Sequence, residues 1–526
     1  MQNQASSSYN SKVMFVQREG PAGPETILTG TVLTANTLGT VITVRVPAAL
    51  KPGAVDISVS ISARGISGPT SMPRRMTVAP DFLLNVPMVF QGFVPQANDV
   101  LDTAISLTNT SNQKATVVFN RFNTAGGVLI TVAAPVQRTL HPGEGMTKTA
   151  SDLFSLGASS SSFTGWLQIR SDVELKGNFF VFDRNLTRLI DGGPLSNRTS
   201  TELVFPHAEK NGPSGTNTYY HIINPNDRPA TVSLTETDPT SQTTINFTIP
   251  PNGNFAIPAS GPDRRGGFAR ARSNLPIAGN LFFGNADHLS VLNAGAPSTS
   301  MQFVLSHFAL GGGYDTHLSV TNTAVTAIDI SVTAFDNSNR PLGSLRRNLQ
   351  PGEQLLSSIA AFLGVPAAPG VTSGYIVGNS SAPGATVFAQ LTFGGQGSVL
   401  ASSALEPATS GQRLLFSGVA HNVVAPSGRF IFSGLKLLNM QNREAKVRVS
   451  AFDNHGEQVG TADLTLRPGE HVQKLLAADN PDVGWVRRLA LELGYVTVTS
   501  DTPIVGTMLV FTDDRAQLFV VPGQNY

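Results

Sequence analysis

The chain contains no cysteine among its 526 residues. A protein without cysteine has no disulfides, no thiolate nucleophile and no cysteine-ligated zinc site. The absence does not identify a compartment, because an exported protein can lack disulfides.

Charge is also scarce. Charged residues make up 13% of the chain, whereas an average globular protein has about a quarter. The net charge of +1 produces no strong field that would attract nucleic acid or anionic lipid. We therefore predict no nucleic-acid partner.

Targeting and membrane signals are missing from the sequence. No apolar run reaches the roughly 18 residues that indicate a transmembrane helix, so we predict no membrane span. Met1 to Ser8 have neither the basic nor the apolar region of a signal peptide. Either the protein is not exported through a cleaved signal, or the chain as given lacks its true beginning.

One short pattern occurs four times, as glycine, an aromatic residue, four strand-like residues and serine. The aromatic residues are 102, 107 and 120 residues apart. After each serine a turn precedes a strongly apolar run, which predicts a β-hairpin whose return strand is central and buried. The four copies begin at Gly165-Trp166, Gly267-Phe268, Gly374-Tyr375 and Gly494-Tyr495.

Asparagine and proline supply a second set of landmarks. An asparagine ends the second strand of each repeat, and a proline follows 33, 27, 29 and 29 residues later. That proline opens Pro-Gly-Glu in three repeats and Pro251-Asn252-Gly253 in the second. A short apolar segment of helical character follows in repeats 1, 3 and 4. The asparagines are Asn109, Asn224, Asn322 and Asn439.

These repeats predict the fold class. About seven short period-two strands per ~110 residues, without long helical patterns, are typical of antiparallel β-sandwiches. We predict an all-β protein of tandem immunoglobulin-like sandwiches in a rod-like array. The expected domains are an N-terminal domain at 1–84 and repeats 1 to 4 at 85–198, 199–298, 299–408 and 409–526.

The N-terminal domain carries a family resemblance. Val44-Arg45-Val46-Pro47, Val55-Asp56-Ile57-Ser58-Val59 and Gly65-Ile66-Ser67 resemble the C-terminal half of an IPT/TIG domain, which implies an immunoglobulin-like fold over about residues 28–78. Little chain precedes Val13 for its opening strands. Either the sequence is truncated, or a neighbouring chain supplies a strand by β-augmentation. The four repeats resemble uncharacterised repeats of secreted bacterial proteins, which implies no known activity.

The recurring aromatic residue has two interpretations. It covers the end of a sheet, or it forms an exposed platform that stacks on a sugar or another partner. The second interpretation makes four residues candidate contacts for a partner or glycan. They are Trp166, Phe268, Tyr375 and Tyr495.

Other reactive side chains form no recurring constellation. We interpret the glutamates of the turns as turn charges, the histidines as packing or surface residues, and the arginines as a solvated strand face rather than a nucleic-acid or polysaccharide site. The aspartates have no run of oxygen ligands that would indicate a calcium site. We therefore predict no catalytic residue, no metal and no cofactor. The residues considered are Glu144, Glu353, Glu470, His207, His307, Asp183, Asp513, Asp514, Arg264, Arg265, Arg270 and Arg272.

The expected function is non-catalytic. We predict a structural or adhesive protein of the cell exterior or cell surface, with self-association into a fibre through strand complementation at the N-terminal domain. The alternative is a carbohydrate-binding accessory protein that uses exposed aromatic residues. The protein is not expected to be an enzyme.

Overall fold

A computed structural model describes most of the chain. It leaves out residues 1–8, 19–24, 36–41, 46–52, 64–65, 71–73, 79–81, 95–97, 126–127, 132–134, 156–162, 184–188, 213–214, 286–287, 365–369, 396–397, 426–427, 479–483, 487–492 and 514–517. The chain divides into two compact units, at 1–81 and 82–526.

The first unit is a six-stranded antiparallel sheet in the order β3-β2-β1-β4-β5, with β6 also paired to β4. The central strand β1 pairs with both β2 and β4. Val13 and Phe15 alternate along β1 and are both buried. The strands are β1 (Tyr9–Arg18), β2 (Glu25–Ala35), β3 (Ile42–Arg45), β4 (Gly53–Ala63), β5 (Ile66–Thr70) and β6 (Arg74–Val78).

The first two repeats of the second unit contain eighteen described strands and one short helix. Those of repeat 1 are β7 (Phe82–Val94), β8 (Asp99–Thr108), β9 (Ala115–Ala125), β10 (Val128–Thr131), β11 (Val136–Leu140), β12 (Gly145–Thr149), α1 (Ala150–Leu153), β13 (Phe163–Ser171), β14 (Lys176–Asp183) and β15 (Leu189–Pro194). Those of repeat 2 are β16 (Ser200–Phe205), β17 (Glu209–Lys210), β18 (Asn217–Ile223), β19 (Ala230–Thr237), β20 (Gln242–Ile249), β21 (Asn254–Pro258), β22 (Arg264–Arg265), β23 (Phe268–Gly284) and β24 (Leu289–Asn293).

Repeats 3 and 4 follow the same plan. Repeat 3 has β25 (Gln302–Leu310), β26 (Tyr314–Asn322), β27 (Ile328–Asp336), β28 (Pro341–Leu349), β29 (Gln354–Ser358), α2 (Ile359–Leu363), β30 (Thr372–Ser380), β31 (Ala385–Gly395) and β32 (Ser398–Leu405). Repeat 4 has β33 (Gly411–Val424), β34 (Phe430–Leu438), β35 (Ala445–Asp453), β36 (Gln458–Leu466), β37 (His471–Ala477), β38 (Gly484–Val486), β39 (Leu493–Thr512), β40 (Leu518–Pro522) and β41 (Gln524–Asn525).

The all-β, multi-sheet architecture of the prediction is confirmed. Repeat 3 shows its plan most simply, because its strands form two four-stranded sheets, in the orders β25-β30-β27-β28 and β29-β26-β31-β32. Strand pairing within these sheets is antiparallel. Period-two alternation of buried and solvated residues along β27, from Ile328 to Ala334, has the pattern of a strand with one face on a core.

The predicted hairpin is wrong. The Gly-aromatic strand β30 pairs with β25 and β27, while the apolar strand β31 after it pairs with β26 and β32 in the other sheet. In repeats 2 and 4 the two segments form one continuous strand, β23 and β39, that passes from one sheet to the other. The serine and proline therefore mark a corner between sheets. The apolar segment is buried as expected, for example over β14.

The helical segment was predicted in three repeats and occurs in two. Thr149 and Ser358 cap α1 and α2 through side-chain oxygens that accept backbone N–H groups. In repeat 4 the segment at Val472 to Leu476 instead continues as β37, which pairs with β34. Pairing to a sheet edge has overridden the weak helical pattern there.

The four repeats form a closed ring, so the predicted rod-like array is wrong for residues 82–526. Each repeat contacts the next, and Tyr495 of repeat 4 donates a hydrogen bond to Gly143 of repeat 1. The closing strands β15, β24, β32 and β40 contact one another at the centre of this ring. Because the last repeat returns to the first, the array has no free end among the repeats.

The hydrophobic cores follow the same cyclic order. The core of repeat 1 includes Phe282 and Val291 of repeat 2. The core of repeat 2 includes Phe388 of repeat 3, the core of repeat 3 includes Leu509 of repeat 4, and the core of repeat 4 includes Phe180 of repeat 1. Burial of apolar area therefore stabilises the ring as one unit rather than as four separate sandwiches.

Candidate functional site

The four aromatic residues proposed as contacts are all buried. Their exposed fractions are 0% for Trp166, 5% for Phe268, 2% for Tyr375 and 4% for Tyr495. An aromatic ring at these values offers no face to a sugar, so the sequence-based interpretation as exposed platforms is wrong. The interpretation as packing residues fits, and Trp166, Tyr375 and Tyr495 also contact the next repeat.

Trp166 joins repeat 1 to repeat 2. Its indole Nε1–H donates a hydrogen bond of 3.0 Å to the carbonyl of Asn252, which lies in the Pro251-Asn252-Gly253 turn. The ring stacks on Phe122 at 4.4 Å between centroids and packs with Ile223 of repeat 2. The aromatic landmark of one repeat thus meets the proline-turn landmark of the next.

The Gly-aromatic segment and the proline-turn region also come together at the other three contacts between repeats, and we call all four contacts inter-repeat joints. At the joint of repeats 2 and 3, the N–H of Gly267 donates to the Gln354 side chain at 2.9 Å. At the joint of repeats 3 and 4, the Tyr375 hydroxyl donates to Asn339, whose side chain packs against Gly469.

The fourth joint closes the ring between repeat 4 and repeat 1. The Tyr495 hydroxyl donates a hydrogen bond of 2.6 Å to the Gly143 carbonyl, and the Gly145 N–H donates to the Asn454 carbonyl. Tyr495 stacks on Phe452 at 4.9 Å. Burial raises the pKa of Tyr375 and of Tyr495 to about 12, so both hydroxyls stay protonated donors at neutral pH.

The recurring asparagines hold the turns in place. Asn109 is fully buried, and its side-chain amide donates to the carbonyls of Leu140 and His141 just before the turn. Asn224, Asn322 and Asn439 make equivalent bonds. An asparagine is needed because one amide group donates two hydrogen bonds while its oxygen accepts others.

The glutamates of the turns hydrogen-bond to backbone N–H groups of the same turns. Glu144, Glu353 and Glu470 accept hydrogen bonds from the N–H three residues earlier, at 2.6, 2.8 and 2.7 Å. Gly143, Gly352 and Gly469 have positive φ angles between 71° and 82°, which glycine adopts without strain. Each Pro-Gly-Glu is therefore a turn motif, as the sequence suggested.

A single carboxylate lies at the centre of the ring. Asp191, in β15, is fully buried and accepts hydrogen bonds from the N–H groups of Val291 and Ala404 and from the Ser403 hydroxyl, at 2.7–2.9 Å. Ser403 in turn accepts the Val520 N–H at 3.0 Å. This network reaches all four repeats. Desolvation raises the pKa of Asp191 to about 7.

A cavity of about 680 Å³ lies between repeats 3 and 4. Such a volume is typical of small-molecule sites. Apolar side chains form much of its wall, and His307 is among its polar lining residues. The lining includes His307, Ala309, Tyr314, Asn337, Ser373, Phe432, Gln473, Lys474, Leu509, Phe511 and Asp513.

Behind His307 lies a lysine that has no exposed surface. The Lys436 side-chain nitrogen hydrogen-bonds to His307 Nδ1 and lies 3.4 Å from the Gly374 carbonyl. Burial lowers the pKa of Lys436 well below its ordinary value, and burial followed by the nearby Lys436 lowers the pKa of His307. Within the described residues, no carboxylate forms an ion pair with Lys436.

The remaining candidates are dispersed. His207 packs against Phe283 and Phe388. Arg264 was predicted on a solvated strand face, which is wrong, because it is buried in ion pairs with Glu236 and Asp238 at 2.9 and 2.7 Å. Arg270 and Arg272 both pair with Glu202. Asp183 is buried and Asp513 is exposed. The Arg265 side chain and Asp514 lie outside the described residues.

Two site residues escaped the sequence-based analysis, although both left a signal. Lys436 is the one charged residue in the apolar run Gly434-Leu435-Lys436-Leu437-Leu438, and Asp191 stands alone in the closing strand of repeat 1. A single charge in a strand that is otherwise apolar is expensive to bury. Neither residue belongs to the repeat pattern, so the recurring residues of the sequence do not indicate them.

In the part of the chain that the structure describes, no group of three or more acidic or histidine side chains is placed to hold a metal ion. No helix in that part is long and apolar enough to cross a membrane.

The comparisons with known proteins leave the family open. No protein-family model matches this sequence, and no curated protein matches it significantly.

Proposed function

We propose that the protein is a non-catalytic structural or adhesive protein of the cell exterior. The observation that supports this most is the cyclic use of the landmarks. Each recurring aromatic residue, asparagine and turn glutamate for which a contact is described is engaged in a joint or a turn. Among the described residues, those that the repeats have in common therefore build the ring and form no shared reactive group.

Self-association through the first unit is part of this proposal. Among the described strands, β3 pairs only with β2, and β5 pairs only with β4, so each has one side on which another strand can add. An unpaired strand edge is a template for β-augmentation by a second chain. A fibre would form if each chain supplied a strand to its neighbour.

Imaging and mass measurement together test the proposal. We expect the full-length chain to show a molar mass that rises with concentration in multi-angle light scattering, and filaments in negative-stain electron microscopy. A mass that stays at the monomer value of 55.4 kDa over a hundredfold range of concentration would remove the fibre from the proposal. Attachment of beads coated with the protein to cells or matrix tests adhesion separately.

The alternative, a carbohydrate-binding accessory protein, required four exposed aromatic residues, and all four are buried. A glycan array with the full-length chain distinguishes the two functions. We expect no glycan to bind above background. A specific glycan signal that survives Trp166→Phe would favour the alternative and place its site elsewhere on the ring.

A further inference from the structure

The joint between repeats 3 and 4 differs in composition from its counterparts. The second residue after the apolar triplet of repeats 1 to 4 is Gly92, His207, His307 and Gly418, respectively. In repeats 2, 3 and 4 this residue contacts the next repeat. At the joint of repeats 4 and 1, Gly418 packs closely against Ser106. Lys436 has the position of Ser106 in repeat 4, three residues before the strand-ending asparagine.

Two basic side chains therefore meet where the ring-closing joint has a glycine and a serine. A β-bulge between Leu305 and Phe308 places His307 at this point, and bulges commonly redirect a side chain at functional sites. A buried lysine without a carboxylate is costly to maintain. A methionine or a serine in place of Lys436 would fill the same space without burying a charge. The presence of the lysine and histidine pair therefore indicates a ligand.

The hydrogen bond defines which proton His307 offers. Protonated lysine has only donors, so when Lys436 carries its extra proton the His307 Nδ1 that contacts it acts as the acceptor. The neutral ring then carries its proton on Nε2. His307 forms part of the cavity wall. The pair therefore offers the His307 Nε2–H as a hydrogen-bond donor, and Lys436 lies next to it as a second proton donor.

The cavity supplies the rest of a binding site. Phe432, Leu509 and Phe511 contribute apolar surface to its wall, and Asn337 and Ser373 contribute polar groups. Among the described residues, the other titratable groups around His307 and the cavity are His471, Tyr314, Tyr375, Lys474 and Asp513. Asp513 is the one carboxylate of this set, and it is exposed rather than buried against Lys436.

We propose that this cavity binds a small amphipathic carboxylate, whose carboxylate accepts a hydrogen bond from His307 and whose apolar body packs on the phenylalanine and leucine side chains. The bound carboxylate supplies a negative charge near Lys436, which has no carboxylate partner among the described residues. Lys436 then binds a proton, because an opposite charge nearby favours the charged form.

Titration calorimetry with sodium octanoate tests the site in the full-length chain. We expect octanoate to bind. Octanamide has the same apolar body without the charge, and it should bind at least about tenfold more weakly because it cannot form a charge-assisted hydrogen bond. His307→Phe should weaken octanoate binding by a similar factor. His207→Phe is the matched control at the joint of repeats 2 and 3, and it should leave the affinity unchanged.

Proton uptake distinguishes the role of Lys436. Titrations at pH 7 in two buffers with different ionisation enthalpies should show that the wild-type protein takes up protons on binding. Lys436→Met should fold with equal or greater stability, because it replaces a buried amine with an apolar side chain of similar length, and should lose the proton uptake. Unchanged uptake in Lys436→Met would overturn the assignment to this lysine.

The remaining outcomes are also decisive. Equal affinities for octanoate and octanamide would reduce the site to an apolar cavity and overturn the carboxylate proposal. No binding of either compound by the folded wild-type protein would overturn it as well. Because the site lies within the ring, neither result bears on whether the protein forms fibres.

Discussion

Tyr495 and Gly143 are 352 residues apart in the chain, yet the hydroxyl of the first donates a hydrogen bond of 2.6 Å to the carbonyl of the second. This bond joins the last repeat to the first. It belongs to a set of four joints in which the Gly-aromatic segment of one repeat meets the proline-turn region of the next. The stability of the ring therefore depends on residues that look, in the sequence, like local features of one repeat.

Removal of the closing hydroxyl should weaken the ring measurably. Tyr495→Phe keeps the stack on Phe452 but leaves the Gly143 carbonyl without this donor, and we expect a loss of about 1 kcal/mol in the free energy of unfolding. Urea denaturation followed by circular dichroism measures it. Tyr219→Phe, at a partly exposed position in repeat 2, is the control and should change stability by less. Equal effects of the two substitutions would contradict a special role for Tyr495.

Trp166 provides a spectroscopic test of the first joint. The chain has two tryptophans, so in Trp485→Phe the fluorescence comes from Trp166 alone. We expect a blue-shifted emission maximum and little quenching by iodide, because the indole has no exposed surface. Strong quenching in the folded variant would show an accessible ring. Trp166→Ala should lower stability by about 3–5 kcal/mol, the usual range for a buried tryptophan.

Turn glutamates should matter modestly and in the same way in three repeats. Each of Glu144, Glu353 and Glu470 accepts one backbone N–H, so substitution by alanine should cost about 1 kcal/mol per site. Thermal unfolding of the three single variants and of the triple variant measures this. Additive losses are expected because the turns are far apart. A loss of ligand binding or adhesion without a loss of stability would contradict the structural role.

The central carboxylate should make stability depend on pH. The pKa of Asp191 is raised to about 7 in the folded ring, while an unfolded aspartate has a pKa near about 3.9. Between about pH 4 and pH 7, the folded state binds one more proton at Asp191 than the unfolded state does. The contribution of Asp191 to the free energy of unfolding is therefore greatest below about pH 4 and falls as the pH rises to about 7. The full fall is on the order of 4 kcal/mol.

Asp191→Asn isolates that contribution. The amide does not titrate, so the difference in unfolding free energy between wild type and variant should change between pH 4 and 7 and then level off. We also expect a loss of about 1–3 kcal/mol at low pH, because the amide nitrogen cannot accept a backbone N–H as an oxygen does. A difference that is independent of pH would show that Asp191 stays ionised throughout.

The sequence predicted the strand content, the number of repeats and the turn role of Pro-Gly-Glu. These are local properties: period-two alternation places one face of a strand such as β27 on a core, and Gly143 at a positive φ favours a turn. The burial of the apolar strand after the aromatic residue also followed from its composition.

The path of the chain between sheets did not follow from local pattern. Ser273 and Pro276 look like the tip of a hairpin, but β23 passes through them from one sheet to the other. A corner between two sheets and a turn between two paired strands use similar residues. Only the partners on each side, β19 before the corner and β18 after it, distinguish the two.

What the sequence by itself determined is that one sandwich type occurs four times, since regular spacing reflects units that share a fold. What only the tertiary structure decided is that the four close into a ring, that Trp166 and Tyr495 are buried there, and that Lys436 meets His307. The physical reason is distance along the chain. A pattern of alternation reports which face of a strand is apolar, and it carries no information on which of several repeats will cover that face.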